Sequence, residues 1–113
     1  MTTPIPTEIS LHQKSAILNI GFDTGEQFEL TCEYLRVYSP SAEVRGHAPG
    51  EEVLQIGKTD VKIDKIEPVG NYAIQLYFDD GHDSGIYSWD WLYHLAKNQE
   101  PLWQKYLHDV ENS

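Results

Sequence analysis

Apolar and polar residues alternate in short runs through most of this chain, and that period of two limits what it can fold into more than any other feature. Ile9 and Leu11 alternate with polar neighbours. Ile17, Leu18, Ile20 and Phe22 form a second run, and Phe28 and Leu30 resume the pattern after the turn signal "DTGEQ". In "VKIDKIEPVG", Val61, Ile63 and Ile66 point inward and Lys62, Asp64 and Lys65 outward. In "NYAIQLYF", Tyr72, Ile74, Leu76 and Phe78 share a face opposite Ala73, Gln75 and Tyr77. Successive side chains of a strand point to opposite faces, so each run reads as a strand with one buried side. The runs are short and the breaks between them carry Gly, Asn and Asp. That combination predicts antiparallel hairpins rather than parallel crossovers.

The period changes in three places. "TCEYLRVYS" puts Tyr34, Leu35 and Tyr38 at helical spacing behind Thr31, a residue that caps helix starts, and Pro40 ends the helix after two turns. "SWDWLYHLAKN" offers Ser88 as a cap and Trp91, Leu92 and Leu95 as a buried stripe. "EPLWQKYLHDV" repeats Leu102, Trp103, Tyr106, Leu107 and Val110 at helical spacing, with Pro101 tolerated in the first turn. Residues 1–7 read as a loose lead-in, and 41–60 as a surface excursion with a short helix or strand near Val53–Ile56. The expected fold class is α+β: an antiparallel β-sheet meander, a short helix after the first strands and two C-terminal helices. One domain is expected over 1–113, with a core of about 8–97 and an additional helix at about 100–111.

The bulk composition bounds function. Eighteen acidic residues against 8 basic ones give a net charge of −10, which repels phosphate backbones and anionic membranes. Another protein is the expected partner, with no nucleic acid and no membrane. The one cysteine, Cys32, excludes an internal disulfide and any cysteine-cluster metal site made by a single copy. A lone thiol, a start without a signal-peptide pattern and the lack of a long apolar run point to the cytoplasm.

The stretch "DDGHDSGIYSWDWL" concentrates Asp79, Asp80, His82 and Asp83. It fails as an EF-hand, because position 3 counted from Asp79 is Gly81 and position 6 is Ser84. It fails as an iron facial triad, because adjacent His82 and Asp83 point to opposite faces of a strand, and His12, His47, His94 and His108 lie in no ligand context. Asp80-Gly81 instead favours a tight turn whose aspartates are solvated and keep ordinary acidity. Cys32 at a helix start is a candidate thiolate; the more common role of a lone cysteine is a small buried hydrophobe. No cofactor is expected. If a metal binds, His82, Asp80 and Asp83 are the candidate ligands, with Asp79 or His47 beside them, or Cys32 shared between two copies.

"CEYLRVYSPSAEVRGH" followed by "DDGHDSGIYSWDWL" resembles the gamma-butyrobetaine hydroxylase-like N-terminal domain family in its small stand-alone bacterial form, formerly a domain of unknown function. The resemblance covers roughly Ile9 to Leu95. In larger hydroxylases of this kind the domain precedes an iron/2-oxoglutarate barrel and carries a structural zinc on Cys-x-Cys-x-x-Cys and a later histidine. Laid on this chain, that motif puts Ser39, Ser41 and Val44 at the cysteine positions and His82 at the histidine. Valine does not bind zinc and a neutral serine is a poor ligand, so the resemblance implies the fold without the metal. It also implies company with iron–sulfur ATPases. The expected function is a non-catalytic binding or adaptor domain, accessory to iron–sulfur assembly or to a partner oxygenase. The alternatives are a zinc- or iron-binding accessory protein using His82, and a regulatory subunit of a 2-oxoglutarate-dependent hydroxylase. The expected binding surface is Ser39, Ser41, Arg45, His47, His82 and Asp83, with loop 39–50 lying close to turn 79–84.

Overall fold

The structure is a computed structural model, and it describes residues 3–46 and 52–113. The alternating runs form two three-stranded antiparallel meanders. β1 (Pro6–His12), β2 (Ile17–Phe22) and β3 (Gln27–Thr31) make the first sheet in that order. Two short helices follow, α1 (Cys32–Val37) and α2 (Ala42–Arg45). β4 (Ile63–Val69), β5 (Ala73–Phe78) and β6 (Ile86–Ser88) make the second sheet, and α3 (Trp89–Lys97) and α4 (Gln99–Glu111) close the chain. The expected α+β class holds, with two sheets where the sequence reads as one meander.

Several details differ from the sequence reading, each for a local reason. The first strand begins at Pro6, inside the expected lead-in. Pro6 and Pro68 both lie in outer strands, β1 and β4, where a missing N–H breaks no ladder bond to a second neighbour. Val61, Ile63 and Ile66 are spaced two and then three apart, and the register shifts between Ile63 and Lys65. A bulge there absorbs the extra residue and leaves Ile66 half-buried. Tyr72 belongs to the turn after Gly70 and is exposed; Ala73, not Tyr72, opens β5 and is buried. The excursion forms its helix at 42–45, and residues 52–56 carry no regular element.

The caps fall where the sequence placed them. The Thr31 hydroxyl accepts the Tyr34 N–H at 3.1 Å and the Ser88 hydroxyl accepts the Trp91 N–H at 3.2 Å. α1 is short but nearly surrounded: Cys32, Tyr34, Leu35, Arg36 and Val37 are all buried. Six residues cannot hold a helix alone, so packing holds it. Leu18, Ile20 and Leu30 from the first sheet, Ile63, Leu76 and Tyr87 from the second, and Leu92 and Leu95 from α3 share one core with it.

Tyrosine hydroxyls tie these layers to backbone carbonyls. Tyr34 donates to Leu95 O at 2.6 Å, Tyr38 to Leu102 O at 2.7 Å, and Tyr87 to Leu35 O. Each ring fills core volume while its hydroxyl finds a backbone carbonyl on another element. These bonds fix α1 and the chain just after it, which form one side of the candidate site.

Candidate functional site

The turn after β5 is built as Asp80-Gly81 predicts. Gly81 takes φ +88°, and its N–H donates to Phe78 O at 3.2 Å. Phe78 N–H donates to His82 O at 3.0 Å. The chain then runs extended to β6, so residues 79–85 form a loop longer than a two-residue hairpin.

The three aspartates have separate structural tasks. Asp79 Oδ1 accepts the Lys62 N–H at 3.1 Å. Asp83 is exposed, and the contact it supplies is its carbonyl, which accepts from Gln75 Nε2 at 2.6 Å. Asp80 departs most from the sequence reading. It lies at the surface but is not free: Oδ2 receives Arg36 Nε at 2.9 Å and Lys58 Nζ at 2.8 Å, and Oδ1 accepts the His82 N–H at 3.1 Å. Partial burial alone would raise its pKa. The Lys58 ammonium, the His82 N–H and the Arg36 guanidinium overrule that and hold it at about 2.

His82 is the centre of the site. It is 5% exposed and bonds on both sides of its ring. Nε2 lies 2.8 Å from Ser39 Oγ, and Nδ1 lies 3.1 Å from Glu43 Oε2. Burial lowers its pKa, the Arg36 guanidinium lowers it further, and Glu43 opposes both. The neutral ring that results fits one proton arrangement. Nδ1–H donates to the Glu43 carboxylate, and Nε2 accepts the Ser39 hydroxyl proton. Ser39 Oγ in turn accepts the Ser41 N–H at 3.2 Å, and Ser41 Oγ pairs with Ser84 Oγ at 2.7 Å while accepting the Glu43 N–H at 3.2 Å. Two segments 43 residues apart are joined by a continuous hydrogen-bonded knot.

The structure thus brings together Ser39, Ser41 and His82, as the resemblance implies. Arg45 is not in the knot: its guanidinium sits 4.7 Å from the centre of the Trp91 ring. Asp83 and Asp80 do not turn toward the imidazole nitrogens, both of which are taken by Ser39 and Glu43. His47 lies outside the described residues. Glu43, Arg36, Ser84 and Gly85 belong to the site without having been singled out in the sequence. In the sequence Glu43 falls in the expected surface excursion, and Arg36 in the short helix between Thr31 and Pro40, neither with a role of its own.

Ser39, His82 and Glu43 have the connectivity of a nucleophile, a base and an orienting carboxylate. The access that such chemistry needs is closed. Ser39 is 0% exposed, and Gly85 packs on its hydroxyl so closely that an added Cβ would sit 2.5 Å from Oγ. As a metal site, His82 and Glu43 provide two ligands. Among the described residues no group of three or more His, Cys, Asp or Glu is placed to hold an ion. Cys32 is fully buried, the more common role of a lone cysteine, and burial pushes its thiol up, away from the thiolate that nucleophilic or metal chemistry needs.

The same geometry sets a pH response. Unfolded, His82 takes up its proton near 6.5, whereas in the fold it does so only at lower pH. Acid therefore favours the unfolded chain, and stability falls as pH drops below 6.5. Asp80 behaves as a depressed carboxylate. Its contribution is present above the unfolded value of 3.8 and is lost as pH falls through about 2. Urea melts from pH 8 to pH 4 measure the first fall, and a His82→Gln variant should flatten it.

A small α+β domain in which a buried serine–histidine pair, with an exposed glutamate on the outer side of the imidazole, ties the loop after β5 to residues 39–43 is therefore the class defined by fold and site. The model of the family "Gamma-butyrobetaine hydroxylase-like, N-terminal" matches residues 9–93, and the chain belongs to that family. The matched span ends within α3. Two proteins solved by solution NMR are 55% and 46% identical, with TM-scores of 0.84 and 0.85. They cover 99% and 97% of this chain, which spans 86% of each. A crystal structure from Acidithiobacillus ferrooxidans, of a protein of unknown function in the DUF971 family, is 35% identical with a TM-score of 0.68. It covers 80% of this chain and 91% of its own. No curated protein matches.

Proposed function

We propose that this protein is a non-catalytic binding domain that docks another protein through turn 79–85 and the adjoining residues 39–46. The observation that carries this reading is the closed knot. It joins two distant loops into one rigid surface, and it leaves no reactive atom open: Ser39 is sealed and both ring nitrogens of His82 are occupied. A rigid loop surface without an accessible nucleophile suits recognition better than turnover. Its outer rim is acidic, because the Glu43 side chain is 69% exposed and Asp83 is exposed. On a chain of net charge −10, such a rim favours a partner with a basic patch. A component of iron–sulfur assembly or an oxygenase is the kind of partner that the family resemblance implies.

A pull-down from the native cell tests the reading. The unmodified domain should retain one defined protein, and a Glu43→Gln/Asp83→Asn double variant should lose it while melting at the same temperature. Equal retention by the variant would remove this surface from the proposal. Metal analysis of purified protein tests the competing accessory-metal reading. One equivalent of zinc or iron, lost in His82→Gln, would favour that reading over docking.

A further inference from the structure

A cleft of about 450 Å³ opens beside the knot, between α2 and residues 52–55 on one side and α4 on the other. Val44, Leu54, Leu102 and Tyr106 make it largely apolar, and Trp91 lines it from α3. This volume lies within the range of small-molecule sites. The polar ends of the aromatic walls are already engaged. Trp91 Nε1 donates to Tyr38 O at 2.9 Å, Tyr38 OH to Leu102 O at 2.7 Å, and Tyr106 OH to Gln55 O. These bonds hold the rings in place and remove them as hydrogen-bonding handles for a ligand.

The charged groups of the cleft are not equivalent. Lys105 is paired with Asp109 at 2.9 Å, with Glu52 also acting on it. Arg45 lies with Cζ 4.7 Å from the centre of the Trp91 ring, and that same ring stacks on His94 at 5.2 Å. Stacking on an aromatic face fixes the position of a guanidinium while leaving its edge N–H donors available for a bidentate acceptor. A preset fork above an apolar cleft matches a carboxylate attached to an apolar body.

We propose that this cleft is a binding site for a small, flat, apolar monocarboxylate, its apolar body against Val44, Leu54 and Leu102 and its carboxylate on Arg45. The site does not rest on the protein-docking reading; it shares Val44 and Arg45 with residues 39–46 but involves neither Glu43 nor Asp83, the two residues changed in the docking test. A failed pull-down would leave it standing, and its own failure would leave the docking surface untouched.

The probe is 1-naphthoate, titrated into the ¹⁵N-labelled full chain, with 1-naphthylmethylammonium as the charge-reversed control. The carboxylate should shift the Trp91 indole N–H and the amides of Val44, Leu54 and Tyr106, and should bind at least about fivefold more tightly than the ammonium. Arg45→Met keeps the stem and removes the fork, and should weaken naphthoate about tenfold. Arg45→Lys keeps the charge without the fork and should also weaken it. Equal binding of the two probes, shifts confined to other surfaces, or an Arg45→Met variant that binds as the parent does would each overturn the proposal. Unchanged Tyr38 and Leu102 amide positions in the free variants establish that the cleft itself is intact.

Discussion

Gly85→Ala should lower the unfolding free energy by about 2–3 kcal/mol, a large effect for one methyl group. The cause is not backbone conformation, since Gly85 is not in the left-handed region that favours glycine. An added Cβ would lie 2.5 Å from Ser39 Oγ and 3.0 Å from Tyr87 Cε1. Neither neighbour can retreat. Ser39 and Tyr87 are both 0% exposed, and the Tyr87 hydroxyl is bonded to Leu35 O. Overpacking in such a place forces displaced side chains or a shifted strand. Ser39→Ala removes the atom that the new methyl meets first, so Gly85→Ala should cost less in that background. Denaturant melts of the four proteins in this cycle provide the coupling. Additive costs would mean that Gly85 does not press on the serine.

His82→Ala should cost about 3 kcal/mol, through two losses at once. The ring fills buried space beside Phe78, with centroids 6.0 Å apart, and its removal leaves a void. Its Nε2 also accepts the Ser39 hydroxyl, which would be stranded in a fully buried position. The Glu43 bond adds less, because that carboxylate is mostly in water. Ser39→Ala strands the His82 Nε2 and the Ser41 N–H in turn but leaves a smaller void, and should cost about 2 kcal/mol. In the double variant the stranded hydroxyl is gone, so the combined cost should fall short of the sum. Calorimetric melts read the difference. A His82→Ala protein as stable as the parent would mean that the knot holds nothing together.

Much of this arrangement was legible before any coordinates. The alternation of Ile17 to Phe22 and of Ile74 to Phe78 located two central strands, because a pleated strand with one buried face has to alternate. Thr31 and Ser88 marked helix starts, because a hydroxyl at that position satisfies an orphan N–H locally. Asp80-Gly81 marked its turn because Gly81 adopts a positive φ there. The misses share a different cause. Ile66 slipped from the core through a bulge, and a bulge depends on how two strands meet. The local sequence does not show that Asp80 is paired, because its partners, Arg36 and Lys58, are 44 and 22 residues away in sequence. Nothing near Glu43 in sequence distinguishes an acid of a surface excursion that faces water from one that holds a histidine 39 residues away.

The sequence by itself determined the local elements of this protein, the strands, caps and turns whose causes lie within a few residues. Through resemblance it also pointed to Ser39, Ser41 and His82 as one site. Only the tertiary structure decided what that site is. It closed Gly85 over Ser39, recruited Glu43 to the free side of the imidazole, gave Asp80 to Arg36 and Lys58, and set Arg45 on Trp91 at the edge of a cleft. Each of these depends on burial and on distances between segments far apart in the chain. Dielectric, access and ion pairing are properties of the packed assembly, and no short stretch of residues carries them.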